Sequence, residues 1–205
     1  MHKEIIVEAG NPDGTKALIL LHGRGAGATD ILELAQYLNV KDFILLAPQA
    51  TNNTWYPQSF LAAPKENEPW LTAALDLVGK TVENALAKGV AKENIYFLGF
   101  SQGACLASEF MARNAAPYGG AAIFTGGVIG DTIYPENYKG DFKGTPVFIG
   151  TSNPDFHVPV ERVHATTRIF KDLGADVTEN VYDHIGHTII QEEIELANRI
   201  VFRQV

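Results

Sequence analysis

The chain has 205 residues, with 16 Lys and Arg against 24 Asp and Glu, a formal net charge of −8. That length suits one compact domain over residues 1–205 with a full core, and 46% hydrophobic content excludes a disordered chain. The acidity argues against nucleic acid and anionic membrane surfaces, which require clustered cations, and the single cysteine, Cys105, excludes an internal disulfide or a cysteine zinc site.

The first ten residues carry Lys3, Glu4 and Glu8 and lack the apolar core of a signal peptide, so the expected location is the cytoplasm. No apolar run approaches the roughly 20 residues needed to cross a bilayer, and no membrane span is expected. Strands are expected at Glu4–Val7, Ala17–Leu21, Phe43–Ala47, Ile95–Phe100, Ala121–Thr125, Val147–Gly150 and Val177–Tyr182. Five of these are nearly continuous apolar runs, the pattern of strands covered on both faces.

Helices are expected between them. Asp30 with Glu33 resembles a capping box opening Ile31–Leu38. A longer helix starts at Pro69, carries Leu71, Leu75, Val78, Val82 and Leu86 at helical spacing, and stops at Gly89. Ala104–Arg113, Val158–Leu173 (ended by Gly174) and Thr188–Phe202 complete the set. This alternation predicts an α/β fold, a mostly parallel, doubly wound sheet of about seven strands. Chemistry then belongs at the carboxyl ends of the strands.

Gly99-Phe100-Ser101-Gln102-Gly103 directly follows one expected strand and precedes a helix, the context of a nucleophile elbow. The alternative reading is a glycine-rich turn without chemistry. A serine hydroxyl needs a base oriented by an acid, in the chain order Ser, Asp or Glu, His for this elbow. Asp155, after the strand Val147–Gly150, and His187, after Val177–Tyr182, supply that order. Asp183 is the competing acid, and His157 and His184 flank the chosen pair. Asp183, His184 and His187 could also ligate a metal, but no further ligand cluster supports one.

The segment His22-Gly23-Arg24-Gly25-Ala26-Gly27 leaves a buried strand through three glycines. The expected oxyanion donors are the backbone N–H groups of Arg24 and Gln102. The loop matches no phosphate-binding pattern. Trp55, Tyr56 and Phe60, in the long loop Gln49–Glu68, either line a substrate pocket or cover the sheet, and Ile129, Ile133, Tyr134 and Tyr138 pose the same choice.

The combination of Leu21-His22-Gly23-Arg24-Gly25, Gly99-Phe100-Ser101-Gln102-Gly103-Ala104, Asp155-x-x-Val158-Pro159 and Gly186-His187 resembles the phospholipase/carboxylesterase family, which includes acyl-protein thioesterases and bacterial carboxylesterases. The resemblance spans almost the whole chain. It implies an α/β-hydrolase fold without a separate cap domain, a Ser101, Asp155, His187 triad, oxyanion residues Arg24 and Gln102, and no cofactor. Two positions depart from the pattern. Arg24 stands where the thioesterase branch carries an apolar residue, a poor neighbour for a long lipid chain, and Ser-Asn-Pro-Asp replaces the common Gly-x-x-Asp.

The expected activity is hydrolysis of small-molecule carboxylic esters with short to medium acyl chains through an acyl-enzyme. The alternatives are a thioesterase or lysophospholipase using the same residues, and a non-catalytic binding module on a hydrolase fold. Helix and loop surfaces suit a homodimer.

Overall fold

The computed structural model describes residues 1–203. Seven strands form one sheet: β1 (Ile6–Gly10), β2 (Lys16–Leu21), β3 (Phe43–Pro48), β4 (Ile95–Phe100), β5 (Gly120–Phe124), β6 (Pro146–Asn153) and β7 (Asp176–Asp183). Their spatial order is β1-β3-β2-β4-β5-β6-β7. Only β1 is antiparallel, paired with β3; every other pairing is parallel. Among the described residues, five α-helices accompany them: α1 (Ala28–Leu32), α2 (Trp70–Ala87), α3 (Gln102–Arg113), α4 (Val160–Asp172) and α5 (Gln191–Ile200).

The apolar strands are buried on both faces because alternate side chains enter separate cores. Ala17, Ile19 and Leu21 of β2 join α2, α3 and α4 on one face, whereas Leu18 and Leu20 join α1 and α5 on the other. This is the α/β-hydrolase arrangement, with no separate cap among the described residues. Among the described residues, no helix is long and apolar enough to cross a membrane.

Several boundaries differ from expectation. β1 begins two residues later than Glu4–Val7, because its register is fixed by antiparallel pairing from Ile6 opposite Pro48 to Gly10 opposite Ile44. β6 continues three residues past Gly150, where β7 pairs with Thr151, Ser152 and Asn153. α1 starts earlier than Ile31: Asp30 itself reaches back to accept the Gly27 N–H at 2.6 Å, and the remainder, Glu33–Tyr37, tightens to a 3₁₀ turn. Leu86 falls outside the buried stripe of α2 and is 40% exposed, while Ala74, Leu77 and Ala85 take the covered positions.

Candidate active site

β4 ends in a turn with little freedom. A Cβ on Gly99 would lie 2.6 Å from the Gly103 carbonyl, and one on Gly103 would lie 2.1 Å from the Leu21 carbonyl, so α3 can leave β4 this sharply only with glycine at both places. Ser101, between them, has φ +55°, ψ −120°, a strained conformation for a side-chain-bearing residue. It stands at the N-terminus of α3, where the helix dipole favours negative charge.

The loops after β6 and β7 come to the same edge. His187 Nε2 is 2.8 Å from Ser101 Oγ, and His187 Nδ1 is 2.8 Å from Asp155 Oδ2. Asp155 Oδ1 accepts the N–H groups of His157 (2.7 Å) and Val158 (2.9 Å). Burial pushes the Asp155 carboxyl upward, but those two N–H groups and the His187 ring outweigh it and hold the acid below its ordinary range. An ionised acid beside Nδ1 keeps the proton there and leaves Nε2 free to accept one from Oγ. Asp183 ends β7, exposed, and the exposed His184 is tied by its N–H to the Asn153 carbonyl. Among the described residues, no three His, Cys, Asp or Glu side chains are grouped to hold a metal.

A cavity of about 630 Å³ opens over this chain, lined in part by Tyr56, Phe60, Phe100, Val158, Arg24 and His157. Tyr56 and Phe60 border it. Trp55 does not: it is fully buried, stacks on His22 with ring centroids 4.8 Å apart, and donates its indole N–H to the His22 carbonyl at 2.8 Å. Ile129, Ile133, Tyr134 and Tyr138 also lie away from the cavity, and the Tyr138 hydroxyl bonds the buried Glu109. A larger groove of about 880 Å³, between α2 and the end of α3, mixes lysine, arginine and acidic residues and contains none of the three aligned groups.

Two residues support the site in roles that the sequence does not show: His22, inside the glycine-rich motif, and Asn67, outside any motif. His22 donates from Nδ1 to the Gly23 carbonyl (2.8 Å) and accepts the Ala50 N–H at Nε2 (3.1 Å). Burial lowers its pKa, so it stays neutral as both bonds require. Asn67, fully buried, bonds the backbone of Gln58 and Ser59 and closes the loop that carries Tyr56. The glycine-rich motif was the available signal for His22, and Asn67, one polar residue among many in its loop, had none.

A parallel α/β sheet that gathers a strained serine, a histidine and a buried carboxylate in line at its carboxyl edge defines the α/β-hydrolase class. Residues 2–201 match the phospholipase/carboxylesterase family model, and the chain belongs to that family, one of ester hydrolases. The crystal structure of a phospholipase/carboxylesterase from Dyadobacter fermentans is 49% identical, covers 99% of this chain and 98% of that one, and superposes with a TM-score of 0.98. Acyl-protein thioesterase 1 of Saccharomyces cerevisiae is 25% identical over 88% of both chains. A probable carboxylesterase of Arabidopsis thaliana, SOBER1-like, is 27% identical over 65% of this chain and 51% of its own length. The chain thus spans about half the length of the plant carboxylesterases it matches.

Proposed function

We propose that this protein is a single-domain serine carboxylesterase, acting in the cytoplasm without a cofactor on small esters of short to medium acyl chains. The observation that carries the reading is the unbroken contact Ser101 Oγ to His187 Nε2 to Nδ1 to Asp155, at the foot of a cavity. His187 takes the Ser101 proton as Oγ attacks the ester carbonyl, and returns it to the departing alcohol. Water, deprotonated by the same ring, then hydrolyses the acyl-enzyme. Asp155 holds the ring's tautomer and stabilises its charge. The N–H groups of Arg24 and Gln102 receive the oxyanion, and Gln102, first residue of α3, has no intrahelical acceptor for its own. Cys105 is buried and free, which suits a reducing compartment.

Ser101→Ala should lower turnover of p-nitrophenyl butyrate by about 10⁶, as for removal of a serine-protease nucleophile. A variant keeping a tenth of wild-type activity refutes the assignment. Labelling by a fluorophosphonate at Ser101 is expected in the wild type, and its absence favours a binding module. The match to acyl-protein thioesterase 1 over 88% of both chains supports a second reading, thioester cleavage by the same residues; comparing ester with thioester at equal acyl length decides between them.

A further inference from the structure

We propose that Arg24 is a positioning residue whose guanidinium fixes the wall of the acyl cavity, and that its paired N–H groups are therefore not available to clamp a substrate carboxylate. The inference rests on the esterase reading above and adds the residue that shapes the pocket.

Arg24 Nη1 donates to Thr54 Oγ1 (2.9 Å) and to the Pro57 carbonyl (3.1 Å). Nη2 donates to the carbonyls of Tyr56 (3.0 Å) and Gln58 (2.8 Å). The two Nη nitrogens carry four N–H groups, and these four acceptors use them all. Every acceptor lies within residues 54–58, a segment outside any helix or strand, so side chains must supply its order. The second fastening comes from Gln102, whose Oε1 accepts the Trp55 N–H (2.9 Å) and whose Nε2 donates to the Tyr56 carbonyl (2.8 Å). The Tyr56 carbonyl thus takes a bond from each residue assigned to the oxyanion.

Two consequences follow. The cavity wall at Tyr56 and the two oxyanion N–H groups move as one body, because the same residues carry both. A substrate carboxylate would need two parallel N–H groups of the fork, and the four on the Nη nitrogens are committed to the Thr54 hydroxyl and three carbonyls, which leaves no bidentate pair free and favours uncharged acyl groups. Lysine cannot replace this arrangement, since a point ammonium with three donors does not satisfy four acceptors.

The test compares purified wild-type protein with Arg24→Met and Arg24→Lys on p-nitrophenyl acetate, p-nitrophenyl hexanoate and mono-p-nitrophenyl adipate, the last being hexanoate with a terminal carboxylate. In Arg24→Met, kcat/KM for hexanoate should fall about 10- to 100-fold, less than the 10²- to 10³-fold typical of deleting an oxyanion donor outright. Adipate should fall in parallel and acetate less, with Arg24→Lys in between. Wild-type values for hexanoate, an equal fall at all acyl lengths, or a loss confined to adipate each overturn the proposal. If Arg24→Met does not fold, Thr54→Val removes one acceptor and should lower the hexanoate-to-acetate ratio in the same direction; an unchanged ratio counts against the clamp. A wild-type preference for adipate over hexanoate does so as well. Failure of the esterase reading is separately visible, as wild-type protein that neither hydrolyses hexanoate nor labels at Ser101.

Discussion

Asp155 and Asp183 follow or end neighbouring strands, and only Asp155 meets the His187 ring. Its side chain is fully covered and three donors converge on it. Asp155→Asn should leave that geometry in place while stabilising the wrong tautomer of His187, with kcat falling by about 10⁴ as in the equivalent serine-protease change. Asp183→Asn should match wild type on p-nitrophenyl butyrate, and a larger loss there than at Asp155 would reverse the assignment. Chain order and strand ends pointed to Ser101, Asp155 and His187, since Ser101 lies between Gly99 and Gly103, Asp155 follows Pro154 and His187 follows Gly186, each in a turn after an expected strand. The Arg24 contacts were not legible. Composition marks it as a cation in a glycine-rich loop, but its four acceptors are backbone and hydroxyl oxygens 30 to 34 residues away, and nothing in the local sequence fixes that approach.

At the next scale, α5 begins where the His187 loop ends, and its entry holds a buried acid. Glu193 Oε2 accepts the Ile190 N–H at 2.9 Å, while Oε1 has no protein partner among the described residues and lies against Gly150 of β6. Burial, reinforced by the charge of Glu192, pushes its carboxyl from 4.5 up to about 7. Between those values the folded chain holds a proton that the unfolded chain has released, so stability falls as pH rises across the window. Glu193→Gln keeps an acceptor for Ile190 and does not titrate. Its urea midpoint should decline less than that of wild type between pH 5 and pH 8; parallel declines would place the pH dependence elsewhere. The helix expected over Thr188–Phe202 is found as α5, with Ile194, Leu196 and Ala197 buried. Periodicity alone assigns acids to solvent, so the inward turn of Glu193 escaped it, as did the early start of α1, where Gly27 offers no capping side chain.

For the whole molecule, the governing fact is a sheet with a hydrophobic core on each face. Phe148 of β6 is fully buried against α5, in the smaller of the two cores. Phe148→Ala should cost about 3 to 5 kcal/mol and lower the melting temperature by about 10 °C for a chain of this size. A shift below 2 °C would mean that the core closes around the loss. The parallel interior was the most legible part of the fold, because strands covered on both sides must be continuously apolar. The edge was less so: β1 leaves Glu8 and Ala9 exposed, and its limits come from partners on β3 rather than from its own residues.

The strand order also has a meaning in time. Arg24 and Ser101 exist on a growing chain well before Asp155, and His187, 86 positions after the serine it touches, comes last. β6 must join β5, and β7 must join β6, before the histidine can reach the hydroxyl. An unfinished chain therefore carries an elbow serine without a base, and the proposed chemistry switches on only when the final strand is laid down.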